Sequence, residues 1–155
     1  MSQTYEARLA ELGVTLPDAP APAANYVPFV QSGTMVYVSG QISMKDGALI
    51  TGKLGADLDV TEGAAAAKCC AIALLAQLKA ACGGDLQRLR RVVELTGFVN
   101  STPDFTDQPK VVNGASDFLV EALGDAGRHA RSAVSAAALP LNVAVEIEAI
   151  FEISA

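Results

Sequence analysis

The sequence reads VAVEIEAIFEI over Val143–Ile153, and apolar and polar side chains alternate along this stretch. Such alternation indicates a β-strand with one buried face. A strand of this kind needs a sheet around it and an apolar layer that covers its buried face. The predicted buried face consists of Val143, Val145, Ile147, Ala149, Phe151 and Ile153, and the opposite face of Ala144, Glu146, Glu148, Ile150 and Glu152.

A second strand is predicted just before this one, over Ser132–Ala138, and Leu139–Asn142 connects the two. Because the connection is short, we expect the two strands to form an antiparallel hairpin. Arg131 opens the first of these strands, and Glu146 lies a few residues into the second. Both side chains can therefore reach the same end of the sheet, although the sequence does not fix the register.

The remaining elements are predicted from apolar periodicity, capping residues and turn residues. Asp59 and Glu62, for example, have the spacing of a capping box at the start of a long apolar helix. Asp107 can cap the last helix, and Gly124 ends it. Gly40, at the end of the second strand, indicates a bulge or a close backbone approach. The order is a helix at Thr4–Leu12, strands at Tyr26–Val30, Met35–Ser39 and Ala48–Thr51, a helix from Asp59 to Ala81, a strand at Arg91–Val99 and a helix at Gln108–Leu123.

This order predicts an α+β fold in which two helices pack on one face of a mixed β-sheet, with an extra short N-terminal helix. The length of 155 residues suits a single domain. We expect residues 1–22 to form the N-terminal helix and a proline-rich arm, and residues 23–153 to form the core of the domain.

Composition and charge exclude some classes of function. The net charge is −6, and basic residues are scattered except for Arg88, Arg90 and Arg91, so a nucleic-acid interface is not expected. No signal peptide is recognised, and the apolar run Cys69–Ala76 is too short to span a bilayer, so we expect a cytoplasmic protein that does not bind membranes. Charged residues make up only 18% of the chain, which indicates that other subunits cover part of its surface.

Cysteine and histidine are too few for a metal cluster. Cys69, Cys70 and Cys82 are an odd set in an alanine-rich context, which favours small buried side chains over a disulfide framework or a reactive thiol. His129 is the single histidine, so no metal site is predicted.

Arg131 and Glu146 have the chemistry of a ligand site. An arginine suits a carboxylate because its planar guanidinium makes two charge-assisted hydrogen bonds. A glutamate near it can orient a water molecule or move a proton. Taken alone, however, the pattern favours a surface arginine for Arg131 and a solvated strand edge for Glu146.

Ordered fragments along the chain resemble the YjgF family, the reactive-intermediate deaminases or Rid proteins that often carry the name endoribonuclease L-PSP. The resemblance covers roughly Ala23 to Ile153. Its fragments are PFVQ (28–31), VSGQI (38–42), FV (98–99) with DF (104–105), VN (112–113), RSAV (131–134), LP (139–140) and VEIE (145–148).

The resemblance implies a chorismate mutase-like fold and a homotrimer with ligand pockets between subunits. It implies that Arg131 grips the carboxylate of a small metabolite and that Glu146 holds a water. Phe29, Ser39, Asn113 and the backbone at Ala133 would line the pocket. The implied reaction is hydrolytic deamination of an enamine or imine derived from an amino acid to a 2-oxo acid and ammonia, with no metal or organic cofactor.

Several departures point to a side branch of that family. Phe29 replaces a tyrosine common in members, the segment Thr106–Val111 looks longer, and the N-terminal helix and arm are additional. His129 is either a second polar group near the pocket mouth or a surface histidine. The alternative function is a non-catalytic protein that binds a 2-oxo acid or similar carboxylate in the same pocket. Ribonuclease activity ranks last, because the chain is acidic.

Overall fold

The computed structural model of the protein describes residues 3–21 and 24–155. Residues 22 and 23, where the predicted arm meets the predicted core, therefore lie outside the described residues, as do residues 1 and 2. Seven strands and three helices follow one another along the described chain. They are α1 (Tyr5–Glu11), β1 (Phe29–Ser32), β2 (Met35–Ile42), β3 (Met44–Lys45), β4 (Ala48–Leu49), α2 (Val60–Ala81), β5 (Leu89–Asn100), α3 (Gln108–Leu123), β6 (Ala130–Ala136) and β7 (Val145–Ile153).

Five of the strands form one mixed sheet in the order β1-β2-β7-β5-β6, and β3 and β4 form a separate hairpin. β7 lies at the centre and pairs antiparallel with both β2 and β5, while β5 and β6 are parallel. The helices α2 and α3 make the two crossovers, from β2 to β5 and from β5 to β6. The predicted α+β fold, with a mixed sheet and two helices on one face, is confirmed.

The alternation of β7 acts as predicted. Val145, Ile147, Ala149, Phe151 and Ile153 are buried, and Phe151 is fully so. These side chains meet α2, which is apolar almost all round because it packs against both the sheet and α3. By length and composition α2 could also cross a bilayer. Core helices of soluble proteins share this length and composition, and much of α2 is buried here.

Local signals set the helix ends. The capping box at the start of α2 is present, since Asp59 accepts from the backbone of Glu62 and the Glu62 side chain accepts from the backbone of Asp59. Gly124 ends α3 with a positive φ of 63°, as predicted. Asp107, predicted to cap α3, makes no side-chain cap bond and pairs instead with Lys110 at 3.5 Å.

The two long helices approach each other closely at Gly114 of α3. A β-carbon at this position would overlap the backbone of Ala64 in α2, so only glycine fits. Gly97 of β5 plays a similar part beneath α3, because a β-carbon there would lie 2.7 Å from the side chain of Val112. α3 is thus pressed tightly onto the sheet beside β6, which places one polar row of α3 next to that edge strand.

The predicted hairpin of the last two strands is wrong. β6 and β7 run antiparallel, but β5 lies between them and pairs with both. Residues 137–144 cross over β5, a span of about 10 Å at the usual strand spacing. The prediction failed because alternation defines which faces of β6 and β7 are buried, but not which strands lie beside them. β5 is long and apolar, and it pairs along both of its edges.

Smaller differences concern boundaries. The first strand begins at Phe29 and not at Tyr26, and β6 spans Ala130–Ala136. The segment Ala48–Thr51 is a strand only over β4, and Thr51 forms an isolated bridge with Val143. The predicted N-terminal helix is confirmed as α1, capped by the side chain of Thr4. Leu9 of α1 belongs to the main core, so this extra helix packs onto the domain.

Candidate functional site

Arg131 lies on the helix-facing side of β6. It pairs in register with Leu95 of β5, which is fully buried under the helices, and paired residues of adjacent strands point to the same face. Its guanidinium donates from Nη1 to the Ser116 hydroxyl at 3.0 Å and from Nη2 to the Pro109 carbonyl at 3.2 Å. Both acceptors belong to α3, so the arginine lies along the helix that flanks its strand.

Ser116 connects Arg131 to His129. The Ser116 Oγ is 2.9 Å from Nε2 of His129, and Nδ1 of His129 is 2.6 Å from the carbonyl of Gly127. Burial lowers the pKa of His129, and the positive charge of Arg131 lowers it further, while the bond to Gly127 acts in the opposite direction. The imidazole is therefore favoured in its neutral form.

Two other predicted site residues share this region. Asn113 is exposed on α3, and its position between Pro109 and Ser116, four residues after one and three before the other, puts it on the same helix row. Ala133 of β6 pairs with Gly97 and faces the same side of the sheet as Arg131. Arg131, Asn113, Ala133, Ser116 and His129 are called the arginine cluster below.

Glu146 lies on the opposite face of the sheet. It pairs with Phe98 of β5, whereas its neighbours in sequence, Val145 and Ile147, point into the core. Burial raises the pKa of the Glu146 carboxyl, and the nearby Glu148 raises it further. The carboxyl also lies against Gly40, where an added β-carbon would be 3.0 Å from both Cδ and Oε2 of Glu146. The predicted bulge or close approach at Gly40 is confirmed, since the β2–β7 register also shifts between Val38 and Gln41.

The remaining two predicted residues separate as well. Ser39 lines a depression of about 290 Å³ on the face that bears Glu146, and its hydroxyl donates to the Val27 carbonyl at 2.8 Å. Phe29 pairs with the buried Val38 and packs partly against the core on the helix side. The side that bears Glu146 and Ser39 is called the open face below, and its depression is also lined by Val30, Tyr37, Glu94, Thr96, Glu148 and Ile150.

The predicted site residues of one chain are therefore separated. Arg131, Asn113 and Ala133 lie at the edge of β6 beside α3, Glu146 and Ser39 lie on the open face, and Phe29 packs on the helix side of β1. Ser116 is not among the residues predicted from the sequence. Its spacing from Pro109 and Asn113 on one helix row is a signal that could have found it, but only once α3 was known to lie beside β6.

A further polar cluster surrounds Asn100 at the end of β5. Asn100 is fully buried, and its amide donates to the carbonyls of Gly52 and Val143 and to the Asn142 side chain. Lys53 donates to the Asn100 side chain at 2.7 Å and to the Ala137 carbonyl at 2.6 Å. These bonds tie the crossover between β6 and β7 to the sheet, and sequence reasoning missed them because they depend on the strand order.

The cysteines have the properties of packing residues. Cys70 and Cys82 are buried, Cys69 is partly buried, and desolvation raises the pKa of all three thiols. Within residues 3–21 and 24–155, no group of three or more His, Cys, Asp or Glu side chains could hold a metal ion.

Known proteins resemble this chain over almost its whole length. A family model described as "YjgF/chorismate mutase-like, putative endoribonuclease" matches residues 6–153. Protein TCP17 of Trypanosoma cruzi is 52% identical over 150 residues, which cover 96% of this chain and 93% of TCP17. The crystal structure of Atu1372 from Agrobacterium tumefaciens is 53% identical with a TM-score of 0.91, covering 97% of this chain and 92% of that one. E. coli TdcF, crystallised with bound serine, is 29% identical with a TM-score of 0.61, covering 88% of this chain and 94% of TdcF.

Proposed function

The chain belongs to the YjgF/chorismate mutase-like family, and on this premise we propose that it hydrolyses small imines or enamines derived from amino acids. The products are a 2-oxo acid and ammonia. Arg131 binds the carboxylate of the substrate, and Glu146 positions the attacking water. Asn113, the backbone at Ala133, Ser39 and Phe29 border the pocket.

The observation that carries this proposal is the state of Arg131. A guanidinium has five N–H donors, and Ser116 and Pro109 engage one donor on each Nη atom. As far as residues 3–21 and 24–155 are concerned, three donors are left, which is enough for a carboxylate held by two parallel bonds. TdcF was crystallised with serine, a small amino acid whose carboxylate has the same chemistry.

The reaction requires little beyond orientation. An enamine first takes a proton on carbon and releases one from nitrogen, which gives the imine. Water then adds across the C=N bond, so that its oxygen bonds to carbon and one of its protons goes to nitrogen. The second proton moves from the new hydroxyl to nitrogen as the C–N bond breaks, ammonia leaves, and a C=O bond remains. Glu146 suits the handling of such protons, because a carboxyl can both give and accept a proton. Burial raises the pKa of this carboxyl, and the nearby Glu148 raises it further.

The site is completed by a second chain. Arg131 and Glu146 point to opposite faces of one sheet, so a ligand that touches both must lie between two copies. The open face also exposes apolar side chains, with Val30 52%, Tyr37 47% and Val134 44% accessible, and β6 leaves one edge unpaired. We propose a homotrimer with three such pockets, in which Arg131 of one chain meets Glu146 of the next. Light scattering after size-exclusion chromatography should give three times the mass of the 15.9 kDa chain, and a monomer would contradict the assembly.

The activity is tested with 2-aminoacrylate generated in situ by a lyase. Wild-type protein should speed the release of ammonia, and Arg131→Ala should lose at least about 100-fold, because a charge-assisted carboxylate pair contributes about 3 kcal/mol. Arg90→Ala removes an exposed arginine of β5 and is the matched control. Equal ammonia release by Arg131→Ala and wild type would refute the role of Arg131.

A second candidate is a non-catalytic protein that binds a 2-oxo acid. It is favoured by the arginine cluster, whose hydrogen bonds are complete within one chain and do not involve Glu146. Saturable binding of pyruvate that is lost in Arg131→Ala, kept in Glu146→Gln and accompanied by no imine hydrolysis would decide for this candidate. RNA cleavage is not proposed, since the open face carries Glu94, Glu146, Glu148 and Glu152 and repels phosphates.

A further inference from the structure

A continuous line of hydrogen bonds runs from a backbone carbonyl to the guanidinium of Arg131. It begins at the Gly127 carbonyl, passes through both ring nitrogens of His129, continues through the Ser116 hydroxyl and ends at Nη1 of Arg131. The three distances are 2.6, 2.9 and 3.0 Å. Three separate elements contribute, namely the turn after α3, α3 itself and β6.

Each bond in this line has a fixed direction. A carbonyl only accepts, so Nδ1 of His129 must carry the proton that goes to Gly127. In the neutral imidazole Nε2 is then an acceptor, and the Ser116 hydroxyl donates to it. Arg131 only donates, so it uses a lone pair of the same hydroxyl. The hydroxyl of Ser116 is thus oriented by His129 and presents its acceptor side to Arg131.

We infer that Ser116 and His129 are positioning residues for Arg131, which hold its guanidinium in one orientation at the edge of β6. This inference rests on the proposed binding of a carboxylate by Arg131. Neither residue needs to touch the ligand. An arginine side chain has much rotational freedom, and fixing it before the ligand arrives removes an entropic cost from binding.

The surroundings of His129 agree with a neutral, orienting imidazole. Burial and the charge of Arg131 both lower its pKa. Near this end of the sheet, Arg128 pairs with Asp125 at 3.3 Å, and Arg91 donates to the Arg128 carbonyl at 3.2 Å.

The first test measures ligand affinity. Ser116→Ala removes the shared hydroxyl and should raise the Kd for pyruvate about tenfold, as expected for the loss of one hydrogen bond to a charged group. Ser116→Thr keeps a hydroxyl and should restore most of the affinity. Thr61→Ala, which removes an exposed hydroxyl of α2 outside the arginine cluster and the open face, is the matched control. Wild-type affinity in Ser116→Ala, or no rescue by Ser116→Thr, would overturn the inference.

The second test needs no ligand and therefore separates this inference from the proposed function. His129 is the single histidine, so its ring nitrogens give unambiguous ¹⁵N signals. We expect the Nδ1–H tautomer in wild type, and distinct Nη signals of Arg131 that merge by free rotation in Ser116→Ala. The Nε2–H tautomer, or unchanged Arg131 signals in Ser116→Ala, would contradict the line of hydrogen bonds. Failure of pyruvate to bind wild type, with both NMR results as expected, would refute the proposed function and leave the positioning role intact.

Discussion

The arginine cluster and the open face differ in the surroundings of their charged side chains. Arg131 is held by two hydrogen bonds from its own chain, and a partly buried serine and histidine support it. Glu146 lies on a surface of glutamates and exposed apolar side chains, where burial and a like charge raise its pKa. The first region is organised in a single chain, and the second has the character of a surface that another molecule covers.

The difference follows from the geometry of a β-sheet. Successive side chains of a strand point to opposite faces, so the number of residues between two positions decides whether they share a face. Arg131 shares its face with Leu95, and Glu146 shares the other with Phe98. Two residues that the resemblance assigns to one site thus lie on opposite faces of one chain. The proposed site joins them as two half-sites that belong to two chains.

Mixed trimers give the strongest test of this division. Arg131→Ala and Glu146→Gln should each be nearly inactive alone. When the two variants are co-expressed with different tags and purified through both, about one third of the sites in every mixed trimer should contain an intact Arg131 and an intact Glu146 from adjacent chains. Ammonia release should recover to about one third of wild type.

The same experiment can break the comparison. If Arg131 and Glu146 of one chain formed a site by themselves, no mixed trimer would contain a complete site, and double-tagged protein would stay inactive. Arg90→Ala mixed with Glu121→Gln, two exposed positions outside both half-sites, controls for tagging and assembly.

Gly40→Ala should damage only the open face. The new β-carbon would lie 3.0 Å from the Glu146 carboxyl and push it aside. A displacement of this size should lower kcat/KM for imine hydrolysis about tenfold, because reacting groups tolerate little misplacement. Pyruvate binding through Arg131 should persist, and isothermal titration measures it directly. A parallel loss of binding would show that the two regions are not independent.

The crossover between β6 and β7 joins the two regions and carries strained backbone. Leu141 has a φ of 58° and a side chain that is 64% exposed, so Leu141→Gly relieves the strain with little loss of burial. We expect a gain of about 0.5–1 kcal/mol in the free energy of unfolding, measured with urea. Ala138→Gly in the same crossover, where φ is not positive, should be destabilising. A stabilised Leu141→Gly with reduced activity would show that this strain helps to set the two half-sites.

The smallest expected effect is the contribution of Glu146 to the stability of the protein at different pH values. Its pKa is raised in the folded chain, so its stabilising contribution is present below the pKa of the unfolded chain and is lost as pH rises through the folded value. Glu146→Gln should therefore unfold like wild type at about pH 4. Near neutral pH it should be more stable than wild type by up to about 0.5 kcal/mol, and the difference is small because solvent screens a partly exposed group. Glu121→Gln on the surface of α3 is the control, and equal stability of Glu146→Gln and wild type at both pH values would argue against the burial of this carboxyl.

Sequence reasoning succeeded where the determining signals are local. The alternation of β7, the capping box at Asp59 and Glu62 and the stop at Gly124 each depend on a few neighbouring residues, and all three are present. The class of the fold followed from the order of these elements. The assignment of β6 and β7 to adjacent positions failed, because periodicity carries no information about which strand lies beside which.

Prediction of the site residues was limited for the same reason, since their neighbours depend on the strand order. The resemblance selected Arg131 and Glu146, but only the strand order reveals that they face opposite sides. Ser116 and Asn100 gain their partners from tertiary contacts with β6 and with the crossover, and nothing in their immediate sequence distinguishes them from ordinary polar residues.

The central position of β7 has a consequence for folding during synthesis. β7 follows the other six strands in the chain, yet it is the strand that fills the gap between β2 and β5. During synthesis, those two strands must wait with open edges until residues 145–153 leave the ribosome. The sheet therefore closes late through contacts between distant parts of the chain, a pattern associated with slow folding. A nascent chain halted before Val145 would expose both strand edges, and would be a natural client for chaperones.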